Sequence, residues 1–153
     1  MKSKISKHIS LREATFSITA IRKGYSNIPN KEQLENMKYV AENIFEPVRE
    51  HFNSPIRVSS MFRSYKVNRA IGGSKSSQHM KGEAMDINNR DKKPSNSEIF
   101  NYIKDNLVFD QLIWEFGDKD NPAWVHVSLK ECKNRNQILK AYSKNRRTYY
   151  ENY

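Results

Sequence analysis

Residues Gln111–Leu129 read QLIWEFGDKDNPAWVHVSL. Two runs of β-branched and aromatic character, Gln111–Phe116 and Ala123–Leu129, flank Gly117, Asp118, Asp120, Asn121 and Pro122, all of them turn formers. The pattern predicts an antiparallel hairpin with a longer loop. Folded symmetrically about the Asp120–Asn121 bond, it sets Glu115 opposite His126 on one face of the sheet, with Trp124 and Ser128 on that face and Val125 and Val127 on the other.

Working outward, Lys31–Phe52 is the clearest helix. Leu34, Met37, Val40, Ala41, Ile44, Phe45, Val48 and Phe52 recur mostly at steps of three and four, a stripe wide enough to cover one side of a sheet. Asn30 is its expected cap, and Pro47 is expected to kink or split it. A short helix is predicted over residues 10–18, opened by a Ser10/Glu13 capping box, with a turn over Lys23–Asn30. Ile56–Ser60 reads as a strand and Ser64–Ile71 as a helix ending at Gly72-Gly73. A polar loop, Ser74–Gly82, leads to a strand over Glu83–Asn88. A second capping box, Ser95/Glu98, opens a helix with Ile99, Ile103 and Leu107 inward, and Gln137–Lys144 is predicted helical before a frayed basic end. Helices and mainly antiparallel strands in one domain of residues 1–153 make an α+β fold, a small sheet with flanking helices.

Bulk properties narrow the classes. The 153 residues suffice for a core without disulfides, and one cysteine, Cys132, excludes an internal disulfide framework. No apolar run approaches the roughly 20 residues of a membrane span. The start, MKSKISKHISLREATF, lacks an apolar h-region, so no signal peptide is expected and the chain is expected to stay inside, or to leave by lysis or another route. The net charge of +10 favours acidic partners. Part of it is local: Lys130, Lys133, Arg135, Lys140, Lys144, Arg146 and Arg147 face only Glu131. This basic end is a solvated face or a contact for an anionic wall polymer. Charge alone would suit nucleic acid, but no signature of a nucleic-acid module is present, and a monomer is expected.

Of the four histidines, His8 and His51 carry no pattern, whereas His79 lies seven residues before Asp86 with Gly82 between them. An aspartate within a strand reading AMDI is unfavourable unless something compensates, and a metal would. Catalytic zinc sites take three ligands from His, Asp, Glu and Cys and keep a fourth position for water. A carboxylate across from a metal-bound histidine, as Glu115 is from His126, is placed to act as general base. Trp114 and Trp124 either wall the cleft or pack in the sheet.

These residues also carry a resemblance. Ser59-Ser60-Met61-Phe62-Arg63-Ser64, then Asn68 and Gly72-Gly73, then Ser77-Gln78-His79-Met80-Lys81-Gly82-Glu83-Ala84-Met85-Asp86-Ile87, and finally Trp124-Val125-His126-Val127 resemble the zinc D-Ala-D-Ala carboxypeptidases and related endolysin peptidases. The pattern S-x-H-x-x-G-x-A-x-D followed by W-x-H is matched in order and spacing. ISLREATFSITAIRKGYSNIP (residues 9–29) resembles the lead-in of one branch, and the likeness spans roughly residues 8–130. The resemblance implies a hedgehog-type α+β fold, Zn2+ on His79, Asp86 and His126, Arg63 polarising the scissile carbonyl and stabilising the oxyanion, and Ser77 near the bound peptide. A guanidinium suits that role independently, because it stays charged and its fork matches an oxygen gaining charge. Several members place a catalytic glutamate three residues before the last histidine; here that residue is Ala123, and Glu115 is the substitute. The expected function is hydrolysis, by metal-activated water, of an amide bond in peptidoglycan stem peptides, as a D-Ala-D-Ala carboxypeptidase or an endopeptidase, acting on the cell wall like a phage endolysin or in the host periplasm or outside the cell, with Trp124 and Ser77 among the substrate contacts. The alternative is a zinc-containing cell-wall or peptide-binding module without catalysis.

Overall fold

A sheet of six strands organises the molecule in a computed structural model, which describes residues 3–153. In chain order the strands are β1 (Val58–Ser60), β2 (Ala84–Ile87), β3 (Gln111–Glu115), β4 (Trp124–Ser128), β5 (Gln137–Lys144) and β6 (Arg147–Asn152); in space they run β1-β2-β4-β3-β5-β6. All neighbours are antiparallel except β3 and β5. The α+β architecture is as the hairpin and helix patterns predicted.

One face of the sheet is apolar because every second residue of its central strands is. Met85, Val127 and Leu112 stand in one cross-strand row and Ile87, Val125 and Trp114 in the next, and all but Trp114 (4%) are 0% exposed. The helices cover this face. α6 (Asn96–Asn106), opened by the Ser95/Glu98 box, brings Ile99, Phe100 and Ile103, and Phe100 meets Trp114 edge-on at 5.2 Å. The helix from Lys31 brings Met37, Val40, Ala41, Ile44, Phe45 and Val48, the stripe read from the sequence.

Pro47 neither splits nor ends that helix. α3 (Lys31–Val40) passes through a wide turn, Ala41–Phe45, into α4 (Glu46–Phe52), with the Glu46 amide donating to the Ala41 carbonyl five residues back. Proline cannot donate and crowds the carbonyl four residues before it; a turn of i→i−5 bonds ahead of it loosens that crowding without breaking the buried stripe. The predicted helix at 10–18 is two elements instead. α1 (Leu11–Ala14) carries the Ser10/Glu13 box, and α2 (Ile18–Lys23) starts on its own cap, Ser17. Between them the Thr15 hydroxyl donates back to the Leu11 carbonyl at 2.8 Å, a local bond that competes with continuing the helix. α5 (Tyr65–Ala70) falls within the predicted Ser64–Ile71 helix, with Ser64 as its cap.

Two further expectations are corrected. Gln137–Lys144 is strand β5, not helix. Its residues have fair helix propensity, but β3 offers an unpaired edge there, and pairing with it outweighs a weak local preference. β5 turns back through Asn145 and Arg146, both at positive φ (51° and 60°), the two-residue turn whose twist suits a hairpin, and β6 follows. The second correction is register. Glu115 pairs with Trp124, and His126 with Ile113. The loop is therefore centred one residue earlier than the symmetric fold assumed. Asp118 makes the difference by accepting from the Asp120 and Asn121 amides at 2.8 and 2.9 Å. The slip is two residues in pairing, an even number, so Glu115 and His126 keep the same face as diagonal neighbours.

Gly82 shows how tightly α3 meets the segment carrying His79. It is left-handed (φ 74°), and a Cβ there would run into the Gln33 carbonyl oxygen and come within 2.9 Å of Met37 Cγ. The Gln33 and Asn36 side chains donate to the Met80 and Lys81 carbonyls, each at 2.9 Å. Gly82→Ala is expected to cost about 2–4 kcal/mol, from backbone strain plus overpacking. Urea unfolding monitored by circular dichroism checks this; a loss under about 0.5 kcal/mol would show that the contact relaxes freely.

Candidate active site

The second face of the sheet is polar where the first is apolar. Across it run Asp86, His126, Ile113, Leu139 and Asn152, paired in turn, and in the adjoining row Trp124, Glu115, Ala141 and Tyr150. A cleft of about 610 Å³ opens over these rows, lined also by Arg63, Ser77 and His79.

Asp86 is placed by register: β2 pairs it directly with His126, whose Nδ1 lies 3.0 Å from its Oδ1. His79 comes from outside the sheet, on a 3₁₀ turn (Gln78–Lys81) closed by Gly82. Its Nδ1 lies 2.7 Å from the Met61 carbonyl, which can only accept, so that nitrogen carries the proton and Nε2 presents a lone pair to the cleft. Nε2 is 3.3 Å from Asp86 Oδ1 and buried, yet has no hydrogen-bond partner. One ligand atom from each of His79, Asp86 and His126 lies within 4.8 Å of the others. A buried acceptor left without a donor is costly. An imidazole lone pair, a second imidazole and a carboxylate converging on one point form a donor set that fits a zinc ion with an open position.

The electrostatics suit electron-pair donors. Burial lowers the His79 pKa and keeps the ring neutral. Burial alone would raise the Asp86 pKa, but His79 and His126 beside it outweigh that and hold it well below the usual carboxylate range. Glu115 is 7% exposed. Burial, reinforced by the charge of Asp86, raises its pKa to about 7 against the opposing pull of His126 and Arg63. Arg63 follows β1; its backbone amide donates to the His79 carbonyl at 3.2 Å. Burial lowers its pKa, Asp86 and Glu115 pull it back up, and its buried Nε has no partner. A guanidinium stays charged under such shifts, so Arg63 brings an unsatisfied cationic donor to the cleft.

Trp124 lines the cleft with its ring 5.2 Å from that of Phe116, whereas Trp114 belongs to the apolar face. Ser77 begins the turn that holds His79 and also lines the cleft. Ala123 brings no carboxylate; its amide donates to the Glu115 carbonyl at 2.9 Å. Sequence reasoning missed the far wall, where Leu139, Thr148 and Tyr150 of β5 and β6 line the cleft. The β-forming run Arg147-Thr148-Tyr149-Tyr150 was the available signal.

It also missed Asp110, a carboxylate 0% exposed just before β3. Arg135 Nη2 donates to it at 2.6 Å, the Arg135 amide at 2.9 Å and Gln78 Nε2 at 3.0 Å. Burial opposes the charge, but these donors hold its pKa well below the usual range. Asp110 thus joins the residue before His79 to the approach to β5. Arg135 is half exposed and stays solvated without Asp110, so Asp110→Ala strands no buried charge; losing these charge-assisted hydrogen bonds is expected to cost about 1–3 kcal/mol in chemical denaturation.

Glu115 yields a pH-dependent expectation for metal-free protein. Its folded pKa of about 7 lies above the ordinary 4.5. The folded state therefore holds the extra proton between these values, and stability is lost as pH rises through that window. Glu115→Gln removes the effect and is expected to stabilise metal-free protein by on the order of 2–3 kcal/mol at pH 8, with little change at pH 4.5. Denaturation curves at both pH values check this; equal effects at the two would contradict a protonated Glu115.

A comparison with curated proteins returns no match. The family profile described as Peptidase M15 matches residues 7–128, which takes in His79, Asp86, His126, Arg63 and Glu115. By fold, by the polar cleft on its sheet and by this match over most of its length, the chain belongs to the peptidase M15 family.

Proposed function

We propose that the protein is a zinc peptidase that hydrolyses an amide bond in peptidoglycan stem peptides. The observation that carries the reading is the convergence of His79, Asp86 and His126 in a cleft that also holds a carboxylate with a pKa of about 7 and an unsatisfied arginine. His79, Asp86 and His126 would hold the ion. Bound there, zinc supplies Lewis acidity, polarising a carbonyl and making water acidic enough to attack near neutral pH.

The remaining work falls to the chain's own residues. Glu115, a diagonal neighbour of His126, accepts the proton of the attacking water and returns it to the departing amine, a task for which a pKa near the working pH is best. Arg63 donates to the carbonyl oxygen as negative charge builds on it. Its charge also favours substrates with carboxylates, which stem peptides carry. Trp124 and Ser77 border the space where the peptide lies. The basic residues Lys144, Arg146 and Arg147 near the β5–β6 turn would meet an anionic wall polymer, a contact screened by salt. No described helix is long and apolar enough to cross a membrane, and the protein would act on the wall after release.

One observation favours a second reading, a zinc-holding wall or peptide binder without catalysis: Ala123 stands where several relatives place their catalytic glutamate. Purified muropeptides separate the two. The enzyme shortens them, seen by mass spectrometry, while a binder retains them intact. Elemental analysis is expected to give one zinc per chain, falling at least tenfold in occupancy in His79→Ala and His126→Ala. Glu115→Gln is expected to keep its zinc and lose at least about 10²-fold in kcat, and Arg63→Ala a similar amount. Zinc-free wild-type protein would end the reading, and full activity in Glu115→Gln would remove the base assignment alone.

A further inference from the structure

The family match ends at residue 128, yet the cleft does not. Strands β5 and β6 carry its floor two strands beyond β3. The row that contains Glu115 continues through Ala141 to Tyr150. Paired residues in one row share a face, and neighbouring strands lie about 4.8 Å apart, so the Tyr150 backbone stands roughly 10 Å from that of Glu115. Ala141 between them has only a methyl group, which leaves the way open for a tyrosine side chain to lean back toward the glutamate. Burial, followed by the negative charges of Glu115 and Asp86, raises the Tyr150 pKa, so the phenol keeps its proton and remains a donor. The residue is nevertheless 56% exposed, hence within reach of a ligand.

This wall is fixed at both ends. At its start, Arg135 grips Asp110 and the Gln137 amide donates to the Asp110 carbonyl at 2.9 Å, while Gln78 of the His79 turn holds the same carboxylate. At its end, the chain crosses to the apolar face, where the Tyr153 ring packs 4.9 Å from Phe100 and 5.9 Å from Trp114. A wall tied to the segment that bears His79 keeps a constant distance from the ligand cluster. It acts as part of a binding surface and not as a flap.

The geometry points to the β5–β6 hairpin as a subsite for peptide residues beyond the scissile bond, with Tyr150 as the residue that contacts them; the inference rests on the peptidase reading above. A phenol offers one donor for a backbone carbonyl and a flat face for aliphatic side chains, the chemistry of an extended alanine-containing peptide. A substrate long enough to cross from Asp86 to Tyr150 gains this contact, whereas one ending at the scissile residues does not.

The test compares a stem pentapeptide with its C-terminal and N-terminal tripeptide fragments on zinc-loaded wild-type protein, Tyr150→Phe and Tyr150→Ala. Wild type is expected to prefer the pentapeptide over the better fragment by about tenfold or more in kcat/KM. Tyr150→Ala is expected to cut that preference to less than about twofold, with Tyr150→Phe between them. Isothermal titration supplies a readout without turnover: zinc-loaded Glu115→Gln is expected to bind the pentapeptide about tenfold more tightly than Glu115→Gln/Tyr150→Ala. Thermal unfolding shows whether each variant is folded. If wild type cleaves the peptides but the preference and the titration are unchanged in both Tyr150 variants, the subsite assignment is wrong and the peptidase reading stands. Cleavage of none by zinc-loaded wild type overturns the peptidase reading and the subsite with it.

Discussion

Four residue pairs between β2 and β4 decide what this sheet can do. They set Asp86 against His126 on one side and Met85 against Val127 on the other. The same pairing that seals the apolar face brings the carboxylate to the imidazole, because alternate residues of a strand point to opposite faces. A slip of one residue would bury Asp86 among the helices and turn Met85 into the cleft, so the apolar face penalises any register that dismantles the polar one. The cluster is thus held by a hydrophobic contact area much larger than itself, and it need not contribute stability of its own.

That arrangement explains why the polar face can carry unfavourable features. His79 Nε2 and Arg63 Nε lie buried without partners, and Glu115 is held where ionisation is discouraged. Each departs from the rule that buried polar groups find partners. The two unpartnered atoms occur together in one cleft; the Asn68 Oδ1 atom outside it also lacks a partner, while other buried polar groups such as Asn89, Asn96 and Asp110 are well bonded. Two unsatisfied groups facing one cleft are what a binding site needs, since the missing partner is the ligand.

What the sequence made legible followed from periodicity and spacing. The helix stripe from Leu34 to Phe52, the caps at Ser10, Asn30 and Ser95, and the two strands around Gly117 are local signals, each sufficient in itself. His79, Asp86 and His126 were visible as a pattern, although their convergence depends on β2 lying beside β4, which no local signal shows. Glu115 was placed on the face of His126 through a register off by two, and that placement survived because parity, not register, determines the face. The end of the chain was misread for the opposite reason. Gln137–Lys144 becomes a strand because of an edge presented by residues 111–115, and propensity carries no record of that edge. Asp110 was missed because an aspartate whose donors come from distant residues looks, in sequence, like any other.

The turn that holds His79 has almost no stability of its own. It is four residues long, ends on a left-handed glycine, and is held against the first turns of α3 by the Gln33 and Asn36 side chains. Segments of this kind open together with the element that clamps them. The persistence of the third electron-pair donor in the cleft therefore depends in part on a helix that contributes no side chain to the cluster. Substitutions on the outer surface of α3, far from any reacting atom, would change how long the site stays assembled between openings.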